Sequence, residues 1–178
     1  MKASEPIFLI GMMGSGKTSV GRELASLLDR KFVDLDFEIE KGAGLTIPEI
    51  FEKRGEPYFR KLETLALERF GRQERTVVST GGGIVLKPAN VEFMRFAGLV
   101  IFLEAAPETL CARLKDSSAG RPLLQTPDWK QTVLTLCRER EPLYRAAAYY
   151  CVATDGKTDS QTASEIQKIL EEHASHSG

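Results

Sequence analysis

Histidine is nearly missing from this chain: there are two in 178 residues, His173 and His176, both close to the C-terminus. A histidine-centred catalytic or zinc site is thereby excluded by inventory, and acid–base chemistry is left to carboxylates. Both histidines read as part of a polar C-terminal tail. Cysteine is scarce as well. Cys111, Cys137 and Cys151 are odd in number and far apart, which argues against a disulfide framework and fits a reducing cytosol. They read as small buried hydrophobes rather than reactive thiols. No excess of either charge is present: 24 Lys and Arg face 25 Asp and Glu, for a net charge of −1. General attraction to nucleic acid or to a membrane surface is therefore not expected, and any basic site must be local. No apolar run approaches the roughly 20 residues of a membrane-spanning helix. Glu5 and Pro6 interrupt the N-terminus before it acquires a signal-peptide shape, so the expected location is the cytoplasm. Repeats and low-complexity linkers are missing too, leaving one domain over residues 1–174 and a loose tail over 175–178.

What the chain does have begins at Gly11-Met12-Met13-Gly14-Ser15-Gly16-Lys17-Thr18. A short apolar run, Ile7-Phe8-Leu9-Ile10, precedes it, and a segment with helical periodicity (Val20, Leu24, Leu27, Leu28) follows. Strand, glycine-rich loop and helix in that order make a phosphate-binding loop. Glycines let backbone N–H groups curl around phosphate oxygens, and the helix N-terminus adds unpaired N–H groups and its positive dipole end. Lys17 can reach the β- and γ-phosphates, and the Thr18 hydroxyl can ligate Mg²⁺.

Downstream, short β-rich runs at 7–10, 32–34, 76–79, 99–103 and 151–153 alternate with longer amphipathic segments. The latter lie at about 17–28, 38–41, 47–54, 57–70, 88–96, 107–114, 129–147 and 161–172. The strands show little alternation of period two, as expected when both faces are buried. Pro88 and Pro107 suit first helical turns. This rhythm predicts an α/β fold, a parallel sheet covered on both faces with ligands at the carboxyl ends of its strands. Residues 116–127 (DSSAGRPLLQTP) break the rhythm and read as a lid able to close over the nucleotide and exclude water.

Asp34-Leu35-Asp36 ends the second strand and brings two carboxylates beside the phosphate loop. One can hold the water shell of a magnesium ion and the other can orient an acceptor hydroxyl, although Asp36 could equally cap a helix beginning at Phe37. The third strand ends Val78-Ser79-Thr80, where many phosphate-loop proteins carry an aspartate, so metal help must come from Asp34 or from Ser79 through water. Gly81-Gly82-Gly83 follows and lets backbone press against a ligand, or simply makes a tight turn. Arg60 has helical spacing to Glu56 and Glu63 and reads by default as a surface ion pair. Arg138 and Arg140 point to different faces of one helix. Arg121, in the lid, is the arginine best placed to meet a transferring phosphate.

Taken together these segments resemble shikimate kinase over nearly the whole length. The matching stretches are GMMGSGKT at 11–18, DLD at 34–36, EPYFR at 56–60, GGG at 81–83, RPLL at 121–124 and REPLYR at 140–145. The resemblance implies a nucleoside-monophosphate-kinase-like fold: a three-layer sandwich around a five-stranded parallel sheet in the order 2-3-1-4-5. It implies that Asp36, Arg60, Gly82 and Arg140 bind shikimate, and that Arg60 and Arg140 grip its carboxylate. ATP would be held by Gly14, Ser15, Gly16, Lys17, Thr18, Ser19 and Arg121, with Lys157 the nearest match to a basic residue near adenine. Thr18 would be the direct Mg²⁺ ligand, with Asp34 acting through water. Lys17, Asp36 and Arg121 would carry transfer of the ATP γ-phosphoryl group to the 3-hydroxyl of shikimate in a monomeric enzyme. The competing readings are another small-metabolite kinase on the same scaffold, such as a gluconate kinase, and a silent nucleotide-binding module.

Overall fold

The structure is a computed structural model that describes residues 4–115 and 128–176. Five parallel strands form its centre: β1 (Ile7–Ile10), β2 (Lys31–Asp34), β3 (Thr76–Ser79), β4 (Leu99–Glu104) and β5 (Tyr150–Ala153), in the order β2-β3-β1-β4-β5. This is the sheet order implied by the resemblance. Every residue of β1 and β3 is buried, which is why neither strand alternates in sequence.

The alternation exists in space instead. Phe8 and Ile10 face one layer, built with α4 (Pro88–Ala97), α5 (Pro107–Lys115) and α6 (Trp129–Ala147). Ile7 and Leu9 face the other, built with α1 (Lys17–Leu27) and α7 (Asp159–His176). Pro88 and Pro107 each open their helix, where a missing N–H costs nothing.

Two helices near β2 add Leu35 and Leu67 to the first of these layers. The first, α2 (Leu35–Ala43), begins three residues before the predicted 38–41 segment, and its cap is Asp34 rather than Asp36. Asp34 Oδ1 accepts from the Asp36 and Phe37 N–H groups. The second, α3 (Ile47–Phe70), starts with a capping box between Thr46 and Glu49. Gly55, at φ 78° and ψ 167°, breaks α3 into the two predicted halves, and Pro57 falls in the first turn of the second half. Phe51 and Phe59 pack across the kink with ring centroids 5.0 Å apart. Ile39 and Ile50 complete this small apolar cluster, which anchors α3 against α2.

Two readings of scarce residues change. Helix α7 runs to His176, and His173 sits on it with Nδ1 2.6 Å from the Tyr150 hydroxyl, so this histidine packs on the sheet edge rather than in a tail. Cys137 is buried and Cys111 half-buried, but Cys151 is exposed because β5 is an edge strand.

Candidate active site

The carboxyl ends of β1, β2 and β3 open into one cavity of about 750 Å³. Its floor is the loop after β1. Gly16 caps α1 in a left-handed conformation (φ 92°) with no side chain bonded to the helix terminus, so the first N–H groups of α1 remain available to an anion. Lys17 folds back over the loop, its Nζ donating to the carbonyls of Gly11 at 2.9 Å and Met12 at 2.8 Å. Thr18 Oγ1 donates to Asp34 Oδ2 at 2.6 Å. One carboxylate therefore both starts α2 and holds the loop threonine. Ser15 Oγ is buried beneath the loop without a hydrogen-bond partner, and Ser19 Oγ donates to the Gly16 carbonyl at 3.2 Å.

Opposite this floor the site is made of side chains from separate elements. Asp36, in the first turn of α2, has Oδ1 sealed from solvent with no partner. Burial, reinforced by Asp34, raises its pKa from 3.8 to about 6 against the pull of Lys17. Arg60 makes both ion pairs that its spacing allows, with Glu56 Oε1 and with Glu63 Oε2, each at 2.9 Å. The two are not alike. Glu56 is exposed, whereas the Glu63 side chain is 1% exposed and keeps Oε1 without a partner. Burial raises the Glu63 pKa while the Arg60 guanidinium opposes it.

The triple glycine explains where these groups meet. A Cβ on Gly81 would fall 2.6 Å from Glu63 Oε1 and 3.0 Å from Asp36 Oδ1. On Gly83 it would fall 2.3 to 2.5 Å from the Arg60 guanidinium atoms. Two carboxylates and a guanidinium thus lie directly on a bare backbone turn. From the other side α6 contributes Arg140, buried and donating through Nη1 to the Gly82 carbonyl at 3.3 Å, while Arg138 points out to solvent. The separation of these two arginines by helix geometry is as the sequence required.

Gly14, Gly16, Lys17, Thr18, Ser19 and Lys157 line the cavity, as do Asp34, Asp36 and Gly82. Lys157 is turned toward its own neighbours, donating to the Ala153 carbonyl at 2.9 Å and pairing with Glu165. Arg121 and the segment 116–127 lie outside the described residues. Three contributors escaped the sequence reading. Glu63 looked like one more helical glutamate. Arg113 on α5 crosses to Gly14 O at 3.3 Å and to Thr154 Oγ1 and O, both at 3.0 Å, tying the turn after β5 to the phosphate loop. Tyr144 is wholly buried and donates its hydroxyl to the Gly82 carbonyl. Only the i, i+3 spacing of Glu63 from Arg60 carried any signal.

For a magnesium ion the available donors are hard oxygens, the Thr18 hydroxyl and the Asp34 carboxylate. No group of three His, Cys, Asp or Glu among the described residues could cage a metal. That donor set fits an ion that keeps most of its waters and is shared with phosphates.

A cavity lined by the phosphate loop, Asp36 and Gly82, with the Arg60, Glu63 and Arg140 charges packed on the glycine turn beside it, suits transfer of a phosphoryl group to an anionic acceptor. Comparison with known proteins agrees. The shikimate kinase family model matches residues 13–171. Shikimate kinase of Synechococcus sp. strain CC9902 is 47% identical over 92% of this chain and 85% of its own length. The enzyme of Dehalococcoides mccartyi is 42% identical over the full length of both. Among solved structures, shikimate kinase from Acinetobacter baumannii in complex with shikimate superposes with a TM-score of 0.92 at 39% identity, covering 96% of this chain and 94% of that one. The enzyme from Aquifex aeolicus superposes with a TM-score of 0.83 at 40% identity, covering 95% and 98%. The chain belongs to the shikimate kinase family.

Proposed function

We propose that the two walls of the cleft divide the two substrates of an ATP:shikimate phosphotransferase, giving shikimate 3-phosphate and ADP. Family membership supports the reaction. The observation that carries the division is the convergence of Asp36, Glu63 and Arg60 on the bare Gly81–83 turn, with Asp36 and Gly82 lining the same cavity as Lys17 and Thr18. The loop wall takes ATP: Gly14, Ser15, Gly16, Lys17, Thr18 and Ser19 receive its phosphates, and Lys157 faces the far end of the same cavity. In the free chain Lys17 Nζ rests on two loop carbonyls, and phosphate oxygens take their place when nucleotide enters. The opposite wall takes shikimate. Arg60 and Arg140 present planar donor forks to its carboxylate, Gly82 lines its ring, and Asp36 receives its hydroxyls.

The Asp36 carboxylate, desolvated and lacking a partner for Oδ1, orients the 3-hydroxyl for in-line attack and accepts its proton late. Little basicity is demanded, because phosphoryl transfer through a loose transition state rests mainly on positioning and on neutralising charge. Lys17 supplies one such charge and Arg121, from the lid at 116–127, another. Thr18 directly, and Asp34 through water, would hold Mg²⁺, which when bound neutralises phosphate oxygens.

The family resemblance and the nearly neutral charge support a monomer as the working unit. The net charge of −1 supports the reading that neither nucleic acid nor a membrane is a partner, and the three scattered cysteines support a cytosolic setting. No helix among the described residues is long and apolar enough to cross a membrane. The test is an acceptor panel in a coupled ADP-release assay. Shikimate is expected to be turned over with ATP and Mg²⁺, and gluconate is not. Turnover of an open-chain sugar acid in preference to shikimate would overturn the acceptor assignment.

A further inference from the structure

The stretch Arg140-Glu141-Pro142-Leu143-Tyr144 places Arg140 and Tyr144 one helical turn apart on the same face of α6. Both side chains reach the same atom. Arg140 Nη1 donates to the Gly82 carbonyl at 3.3 Å, and the Tyr144 hydroxyl donates to it as well. A carbonyl oxygen has two lone pairs, so the two donors are compatible. Their freedom differs. The Tyr144 ring is fixed: it is wholly buried and stacked on Phe102 of β4, with centroids 5.1 Å apart and planes 23° apart. Its hydroxyl also lies 3.6 Å from Met12 Sδ in the phosphate loop. Arg140 is a long side chain whose guanidinium is wanted by an incoming carboxylate.

We propose that Tyr144 is a positioning residue for the acceptor: its hydroxyl keeps the Gly82 carbonyl bonded, so that Arg140 can move to the acceptor's carboxylate without unlatching the glycine turn. This inference rests on the shikimate assignment above. The peptide plane held by Tyr144 joins Gly82 to Gly83, the glycine against which the Arg60 guanidinium lies. Holding that plane therefore keeps the two arginines in register. If the hydroxyl were missing, Arg140 would be the remaining donor seen on the Gly82 oxygen, and engaging the carboxylate would take that donor away from a half-buried carbonyl. Burial pushes the Tyr144 phenol well above its ordinary range, with Arg140 opposing, so the group stays protonated and remains a donor at working pH. The ring's own contribution to the core is separable from this role, because the hydroxyl alone touches Gly82.

Tyr144→Phe removes the hydroxyl and keeps the stacked ring. The expected result is a KM for shikimate raised about tenfold, the range set by one unsatisfied polar group, with kcat and the KM for ATP within about twofold of the parent. The methyl ester of shikimate provides the second arm. It has no carboxylate to draw Arg140 away, so the variant and the parent should turn it over with kcat/KM values within about twofold of each other. Three outcomes overturn the proposal: an unchanged KM for shikimate, a parallel rise for both substrates, or an equal penalty on the ester. A thermal transition near the parent's certifies folding. If Tyr144→Phe lacks one, Phe102→Leu replaces it, loosening the ring while leaving the hydroxyl, and the same selective rise in KM is expected. The parent enzyme separates the two levels of inference. A parent inactive on shikimate overturns the acceptor assignment and this proposal with it, whereas an active parent without the selective loss in the variant overturns only the role of Tyr144.

Discussion

The two walls of the cleft are built on opposite principles. The wall proposed for the nucleotide is mostly one continuous stretch whose side chains are largely met before any ligand arrives, Lys17 on the Gly11 and Met12 carbonyls and Thr18 on Asp34, while the first N–H groups of α1 and the buried Ser15 Oγ stay open. The wall proposed for the acceptor draws on α2, α3, the glycine turn and α6, and it holds buried oxygens of Asp36 and Glu63 without partners. A wall of backbone N–H groups with settled side chains suits what all nucleotides share. A wall of desolvated, partly unpaired charges is costly without its ligand and selective for the one that completes it. The contrast says where stability and specificity reside, and substitutions can break it one wall at a time.

The largest effect is expected from Lys17→Ala. Loss of the charge proposed to meet the transferring phosphate should lower kcat by at least about a thousandfold in the coupled ADP-release assay. The KM for shikimate should stay near that of the parent, and a selective rise in it would blur the two walls. Arg60→Ala attacks the other wall. It strands the buried Glu63 carboxylate and removes half of the proposed clamp, so the KM for shikimate should rise about a hundredfold with that for ATP little changed. Unchanged shikimate affinity would overturn the carboxylate clamp.

Asp36→Asn tests the cost of the acceptor wall directly. The native carboxyl binds its proton more tightly than the unfolded one, with a pKa of about 6 against 3.8. Its contribution to stability is therefore fully present below the unfolded value and is lost as pH rises through about 6. The variant should then gain stability over the parent at pH 8 by roughly 1–3 kcal/mol, a range discounted for partial exposure. The gain should shrink toward pH 4.5, as read by calorimetry, while kcat falls. A gain independent of pH would locate the strain elsewhere. The smallest effect is expected from Gly83→Ala, whose Cβ would meet the Arg60 guanidinium at 2.3 to 2.5 Å. Arg60 must swing aside, and the KM for shikimate should rise about tenfold, some 1.4 kcal/mol. Binding of nucleotide, followed by titration with ADP, should be untouched.

The same division governs what could be read from residues alone. The phosphate loop and the strand–helix alternation were legible because each signal lies within a short window: glycine spacing before a lysine, an apolar run before a periodic one. The two halves of α3 were legible as separate helices because Gly55 and Pro57 interrupt the period locally. Glu63 was not. By spacing it is an ordinary helical partner for Arg60, and only the packing of α3 over the glycine turn shows that it is buried and half unpaired. Arg113 and Tyr144 were missed for the same reason, since their partners Gly14, Thr154 and Gly82 are remote in sequence. The capping role went to Asp34 and not to Asp36, a matter of helix start that propensity does not resolve to one residue.

By itself, then, the sequence determined the phosphate loop, the class of fold and the family, because these depend on local backbone chemistry, on hydrophobic period and on the order of short motifs. The tertiary structure alone decided which carboxylates lose their water, which arginine of α6 turns inward, and which donors share the Gly82 carbonyl. Desolvation and orphaned hydrogen-bonding capacity are properties of what packs over a group, and here that covering comes from elements far apart along the chain.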